Sequence, residues 1–182
     1  MNINIENKLD KNNIDKTIEL YLNSLKEMDL DIRANNFIEL FEILKRKNVK
    51  KGPYINISLF EASNRIMSDL VILYGVKDLL YGKYKDINFS QYIVEYGNEN
   101  KNKHDIMAED KIKEIKLFGE AFNVSKSFFQ TKKSSSLKKL MKNKSENAII
   151  ILMYNLDAVN DNYIPIKKKN EYHILVDIKA IV

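Results

Sequence analysis

Cysteine is absent from these 182 residues, which removes disulfides, thiolate zinc sites and cysteine nucleophiles together. Histidine is scarce, with His104 and His173 alone, so a His-rich metal centre is not expected and any metal must be held by oxygen. Arginine occurs only at 33, 46 and 65, and the excess of Lys, Asn and Ile reads as a genome-wide codon preference. Long apolar runs are missing as well. The longest, Ala148 to Tyr154, falls far short of the roughly 20 residues of a membrane span. Met1–Lys16 is Asn-rich and charged where a secretory leader would be apolar. The expectation is a cytoplasmic protein with no membrane partner.

What is present is a single domain's worth of chain, 45% hydrophobic, with 30 Lys+Arg against 25 Asp+Glu. The net charge of +5 is a modest pointer to a polyanionic partner. Residues 1–12 alternate Asn and charge and read as a frayed tail. A helical subregion follows over 13–52: Ile14, Ile18, Tyr21, Leu22 and Leu25 share one face, as do Phe37, Leu40, Phe41 and Leu44 after a cap at Asp31. Gly52-Pro53 stops it. Ser58 and Glu61 form a capping box for a long helix to about Tyr81, along which Glu61, Arg65 and Asp69 stack into one charged line.

From Gly82 the pattern turns to strands: Tyr92–Tyr96, His104–Glu109, Lys111–Phe118, Ala148–Tyr154 and His173–Ile178. A Ser/Lys-rich helix over Ser125–Lys142 interrupts them, and Gly97–Lys103 and 157–169 read as loops. Helices first and a β-β-β-α-β-β order after argue for a mixed α/β or α+β fold, with helices packed on a central sheet. Its fully apolar, buried strand is Ala148–Tyr154.

Lys111–Phe118 alternates polar and apolar residues, the period of a two-faced strand. If Asp110-Lys111 is a two-residue loop, Asp105 pairs with Lys116, and Glu114 lies diagonally on the same face. Two carboxylates and an ammonium then gather on one sheet face. Two oxygen ligands on adjacent strands suit Mg²⁺, and a neighbouring lysine suits the charge that develops at a phosphate.

At these residues the chain resembles the PD-(D/E)XK nuclease superfamily, which includes many type II restriction endonucleases. The resemblance rests on Asp105 and on Glu114-Ile115-Lys116 as the (D/E)XK tripeptide, on neighbouring strands before a helix and an apolar strand, over roughly residues 55–155. His104 stands where the motif's Pro would be. The resemblance implies a restriction-endonuclease-like core over 55–182, with Asp105, Glu114 and the Ile115 carbonyl on the metal and Lys116 positioning the water. It implies an Mg²⁺-dependent endonuclease, with Mn²⁺ as a substitute, that hydrolyses double-stranded DNA to 3′-hydroxyl and 5′-phosphate ends. Two-strand cleavage implies a homodimer.

A second assignment keeps Asp105 but takes Glu120 and Lys132, because Glu120 continues the parity of Glu114 and Lys116; Lys133 could reach back in place of Lys132. Glu61 is a further candidate acid. Lys126, Lys132, Lys133, Lys138, Lys139, Lys142 and Lys144 lie in a stretch nearly free of Asp and Glu, interleaved with serines, as phosphate binding requires. Asn155, Asn160, Asn162 and Lys167–Lys169, and the basic turn Lys45–Lys51, are candidates for reading bases. The alternatives in function are a non-catalytic nucleic-acid-binding protein and an RNA-directed nuclease of the same fold.

Overall fold

The computed structural model describes residues 1–97, 102–142, 147–165 and 168–180. The expected turn Gly97–Lys103 falls partly outside these residues, and Lys144 and Lys167 lie wholly outside them. The fold is mixed α/β, a six-stranded mixed sheet flanked by four helices. The strands β1 (Lys8–Asp10), β2 (Gln91–Val94), β3 (Ile106–Asp110), β4 (Ile115–Phe122), β5 (Ala148–Asn155) and β6 (Glu171–Val176) lie in the sheet in chain order. The first four run antiparallel; β4, β5 and β6 are mutually parallel. Residues 8–10, read as frayed tail, instead form β1 against β2, because Leu9 is buried beside Tyr92.

The helices are α1 (Ile14–Lys26), α2 (Phe37–Lys45), α3 (Leu59–Leu80) and α4 (Phe129–Met141), the last entered through a 3₁₀ turn at Lys126–Phe128. The Ser58 half of the expected capping box at α3 forms: Ser58 Oγ accepts from Glu61 N–H at 3.2 Å, while the Glu61 side chain turns to Arg65. The cap of α2 is Asn36, whose side chain accepts from Glu39 N–H at 2.9 Å, and not Asp31.

The line Glu61–Arg65–Asp69 on α3 splits in two. Arg65 and Glu61 make the expected exposed ion pair at 2.7 Å. Asp69 is 1% exposed and takes hydrogen bonds from the Tyr21 hydroxyl at 2.7 Å, the Tyr54 hydroxyl and Gly97 N–H at 2.9 Å. One carboxylate thereby ties α3 to α1, to the turn after α2 and to the end of β2.

Strand alternation sorts side chains onto two layers. Leu117 and Ala121 of β4, Ile151 and Met153 of β5 and Ile174 of β6 join the core under α1 and α3. Gly75 of α3 sits directly over Met153, where a Cβ would collide with the sulfur. Phe122, Ile150, Leu152 and Tyr154 face the other way, under Phe129 and Leu140 of α4. That second face carries the candidate site.

Candidate functional site

The β3–β4 turn decides which residues meet. Asp110 Oδ1 accepts from Ile112 N–H at 3.0 Å and Lys113 N–H at 3.1 Å, and Glu114 closes the loop with φ at 53°. The loop is therefore four residues, Lys111–Glu114, and the strands pair as Asp110↔Ile115 and Glu109↔Lys116 through Ile106↔Gly119. The expected Asp105–Lys116 pairing is corrected accordingly. Glu114 is an exposed turn residue, Ile115 starts β4 at the far end, and Lys116 pairs with Glu109 at 3.5 Å. The slip is an even number of residues, so faces are preserved, and the next residue opposite Asp105 is Glu120.

Asp105 and Glu120 share a cavity of about 230 Å³ with Glu95, Asn102, Lys132 and Lys139, and with Ser135 and Ser136 of α4. Asp105 is fixed from both neighbouring strands: the N–H of Glu95, at the end of β2, donates to its carbonyl at 2.9 Å, and the N–H of Ala121 in β4 donates to Oδ2 at 2.8 Å. Burial and the nearby Glu120 charge push its carboxyl up to about 6, against the Ala121 hydrogen bond and the pull of Lys139 and Lys132. Burial also raises Glu120, opposed by its hydrogen bond to Lys139. Lys139 Nζ lies 2.8 and 2.9 Å from the two Glu120 oxygens. His104, 1% exposed and tilted against Phe118, places Nδ1 3.1 Å from Glu120 Oε1. Burial lowers the imidazole's pKa, as do Lys139 and Lys103, so the neutral ring donates a hydrogen bond through Nδ1–H to the carboxylate.

Of the two sequence assignments, the structure brings together Asp105, Glu120 and Lys132, and does not bring Glu114, Ile115 or Lys116 to them. Glu61 stays outside the cavity in its pair with Arg65. Lys139 and His104 were not foreseen as partners of Glu120. Lys139 stands seven residues after Lys132, hence on the same helix face, and that spacing was a usable signal. His104 carried none, because its contact depends on the turn length.

The basic residues divide by environment. Lys126, Lys132, Lys138, Lys139 and Lys142 are exposed along the 3₁₀ turn and α4, with Lys126 4.0 Å from Asp161 and Lys132 5.8 Å from the Phe122 ring. Lys133 turns away to donate to the Tyr163 hydroxyl at 3.2 Å. Asn155 is corrected as a base-reading candidate: it is buried at the end of β5, donating to Asn123 Oδ1 at 3.2 Å.

The donor set fits a hard divalent cation. Two neighbouring carboxyls, Asp105 raised by burial and by the Glu120 charge beside it, are what a dication relieves. Among the described residues no group of three His, Cys, Asp or Glu side chains is arranged to hold a metal ion, so such an ion would rest on this pair with backbone and water oxygens, the usual manner for Mg²⁺. No described helix is long and apolar enough to cross a membrane. No protein-family model matches the chain, and no curated protein or solved structure matches it.

Proposed function

We propose that the protein is an Mg²⁺-dependent endonuclease acting on double-stranded DNA, of restriction-enzyme type, with Asp105 and Glu120 as its metal carboxylates. The observation that carries this reading is the meeting of Asp105 and Glu120 in one cavity with two lysines of α4. The run α3, β2, β3, β4, α4, β5 supports it, being the order the PD-(D/E)XK resemblance implies. In this assignment Glu120-Ala121-Phe122 replaces the tripeptide, the Ala121 carbonyl takes the place given to Ile115, and the ammonium comes from α4.

Mg²⁺, when bound, supplies Lewis acidity toward the phosphate and lowers the pKa of a water. The chain's own residues do the rest. Asp105 is held by Ala121 N–H, and Glu120 is oriented by His104 and Lys139, so both carboxylates are positioned before substrate arrives. Lys132, at the cavity wall, is placed to meet the charge that develops on the phosphate. The exposed lysines of α4 track the adjoining backbone phosphates. Cutting both strands takes two copies of the site, and α2, which buries none of its residues, offers the face for a second copy.

The test is cleavage of plasmid DNA and of structured RNA, with Mg²⁺, with Mn²⁺ and with EDTA. DNA fragments that require metal and fall at least roughly 100-fold in Asp105→Asn and Glu120→Gln are expected. Metal-dependent cutting of RNA alone would move the substrate, and absence of any cutting would leave a binding protein.

A further inference from the structure

Glu120 already has a cation on it. The residue lies on β4 and is 5% exposed, and a carboxylate so buried stays charged only with a partner of opposite charge at hand. Lys139 is that partner: its Nζ stands 2.8 Å from Oε1 and 2.9 Å from Oε2. A cation astride both oxygens of one carboxylate is also the bidentate arrangement of a bound metal ion. His104 Nδ1, at 3.1 Å from Oε1, orients the group without adding charge.

Lys139 is held loosely compared with what surrounds it. Its neighbours Ser136 and Leu140 are buried and seat α4 on the sheet, whereas the Lys139 side chain is 47% exposed and ends in the cavity of Asp105, Glu120 and Lys132. The ammonium rides on a flexible four-carbon stem, so it can leave Glu120 with no change in the core. Lys132, seven residues earlier, lines the same cavity but faces the Phe122 ring at 5.8 Å. One ammonium is on the carboxylate and the other stands beside it.

The place Lys139 takes is the place a dication needs. Mg²⁺ binds carboxylate oxygens at about 2.1 Å, so on an oxygen already capped by Lys139 it would meet a like charge within about 5 Å. We propose that Lys139 is a built-in counter-ion that holds the metal's position on Glu120 and competes with the divalent cation for it, thereby setting the metal concentration at which the site loads. The proposal rests on the reading of Asp105 and Glu120 as metal carboxylates. When Lys139 gives up Glu120 it turns to the exposed face of α4, beside Lys132, Lys138 and Lys142, where backbone phosphates are met. Removing this ammonium therefore favours metal binding even where it slows cleavage.

Mn²⁺ titration of the full chain without DNA, followed by the electron paramagnetic resonance of the free ion, tests the competition. Lys139→Met is expected to bind Mn²⁺ at least about tenfold more tightly than the parent, and Lys139→Arg, which keeps a cation, within about threefold of it. Lys132→Met should gain less than about threefold, because that ammonium is near Glu120 and not on it. Asp105→Asn should lose binding. A Lys139 that merely positions Glu120 gives the opposite sign, with weaker binding in Lys139→Met. Acetylation of the parent, read by mass spectrometry, needs no variant: labelling of Lys139 relative to Lys138 should rise at least about threefold on adding Mg²⁺. Equal or weaker Mn²⁺ binding by Lys139→Met, or Lys139 labelling that Mg²⁺ leaves unchanged, overturns the counter-ion; if Asp105→Asn still abolishes binding, the metal site itself stands. Binding that survives Asp105→Asn, or that no chain shows, overturns both.

Discussion

Lys139 reaches from α4 to both oxygens of Glu120, at 2.8 and 2.9 Å, while His104 holds the Oε1 oxygen from below. A buried carboxylate, its pKa raised by that burial, is thereby pinned from two sides by one exposed and one buried partner.

Lys139→Met is accordingly expected to lower metal-dependent cleavage by about 10- to 100-fold, with little change in melting temperature, because the ammonium is nearly half exposed. Lys116→Met and Glu114→Gln should leave cleavage within about twofold, since neither residue lies near the cavity. Steady-state cleavage of one plasmid by the three variants decides between the two assignments, and equal losses in Lys116→Met would restore the tripeptide reading.

The stability of the fold should carry the mark of Asp105. Its folded carboxyl binds a proton more tightly than the unfolded one, near pH 6 against 3.8. The folded chain is therefore penalised progressively as pH rises from about 4 to 6, fully above 6 and not at all below 4. Asp105→Asn removes that penalty and keeps an acceptor for Ala121 N–H. Thermal melts should show the variant about 6–12 °C more stable at pH 8, for a gain of up to about 3 kcal/mol, and level with the parent at pH 3.5. Adding Mg²⁺ at pH 8 should reverse the order, raising the parent's melting temperature and not the variant's.

How far the sequence could be read depends on what each element needed. α3 was legible because its cap and apolar spacing are local, and β5 because an unbroken apolar run has one reading in a mixed sheet. The site was half legible. Parity placed Glu120 on the face of Glu114 and Lys116, and parity survives a slip of four residues. The register did not, because it hangs on Asp110 bonding two backbone amides ahead of it, a turn that competes with the two-residue alternative on side-chain geometry alone. Asp69 escaped for the opposite reason: its partners Tyr21 and Tyr54 are remote in the chain, so local spacing showed only the line it shares with Glu61 and Arg65.

Asp69 should be among the costliest polar residues to lose. Asp69→Ala leaves two tyrosine hydroxyls and the Gly97 N–H buried without their acceptor, a cost of about 3 kcal/mol or more. Asp69→Asn retains one acceptor oxygen, and a tyrosine hydroxyl can turn to accept from the new amide, so about half that loss is expected. Urea denaturation at pH 7.5 measures both, and equal midpoints for the two variants would remove the hydrogen-bonded hub from the account.

Phe37 and Ile38 of α2 are 77% and 75% exposed, with Phe41 beside them and Asn36 fixing the helix start. Nothing in the core depends on these side chains, so Phe37→Glu with Ile38→Glu should leave the melting temperature within about 2 °C. If this face joins two copies for double-strand cleavage, light scattering should show the parent as a dimer and the double variant as a monomer. Cleavage by the monomer should then stop at nicked plasmid, because a single Asp105–Glu120 site meets one strand per encounter. A parent that is monomeric, or a variant that still linearises plasmid as fast as the parent, would exclude α2 as the dimer face.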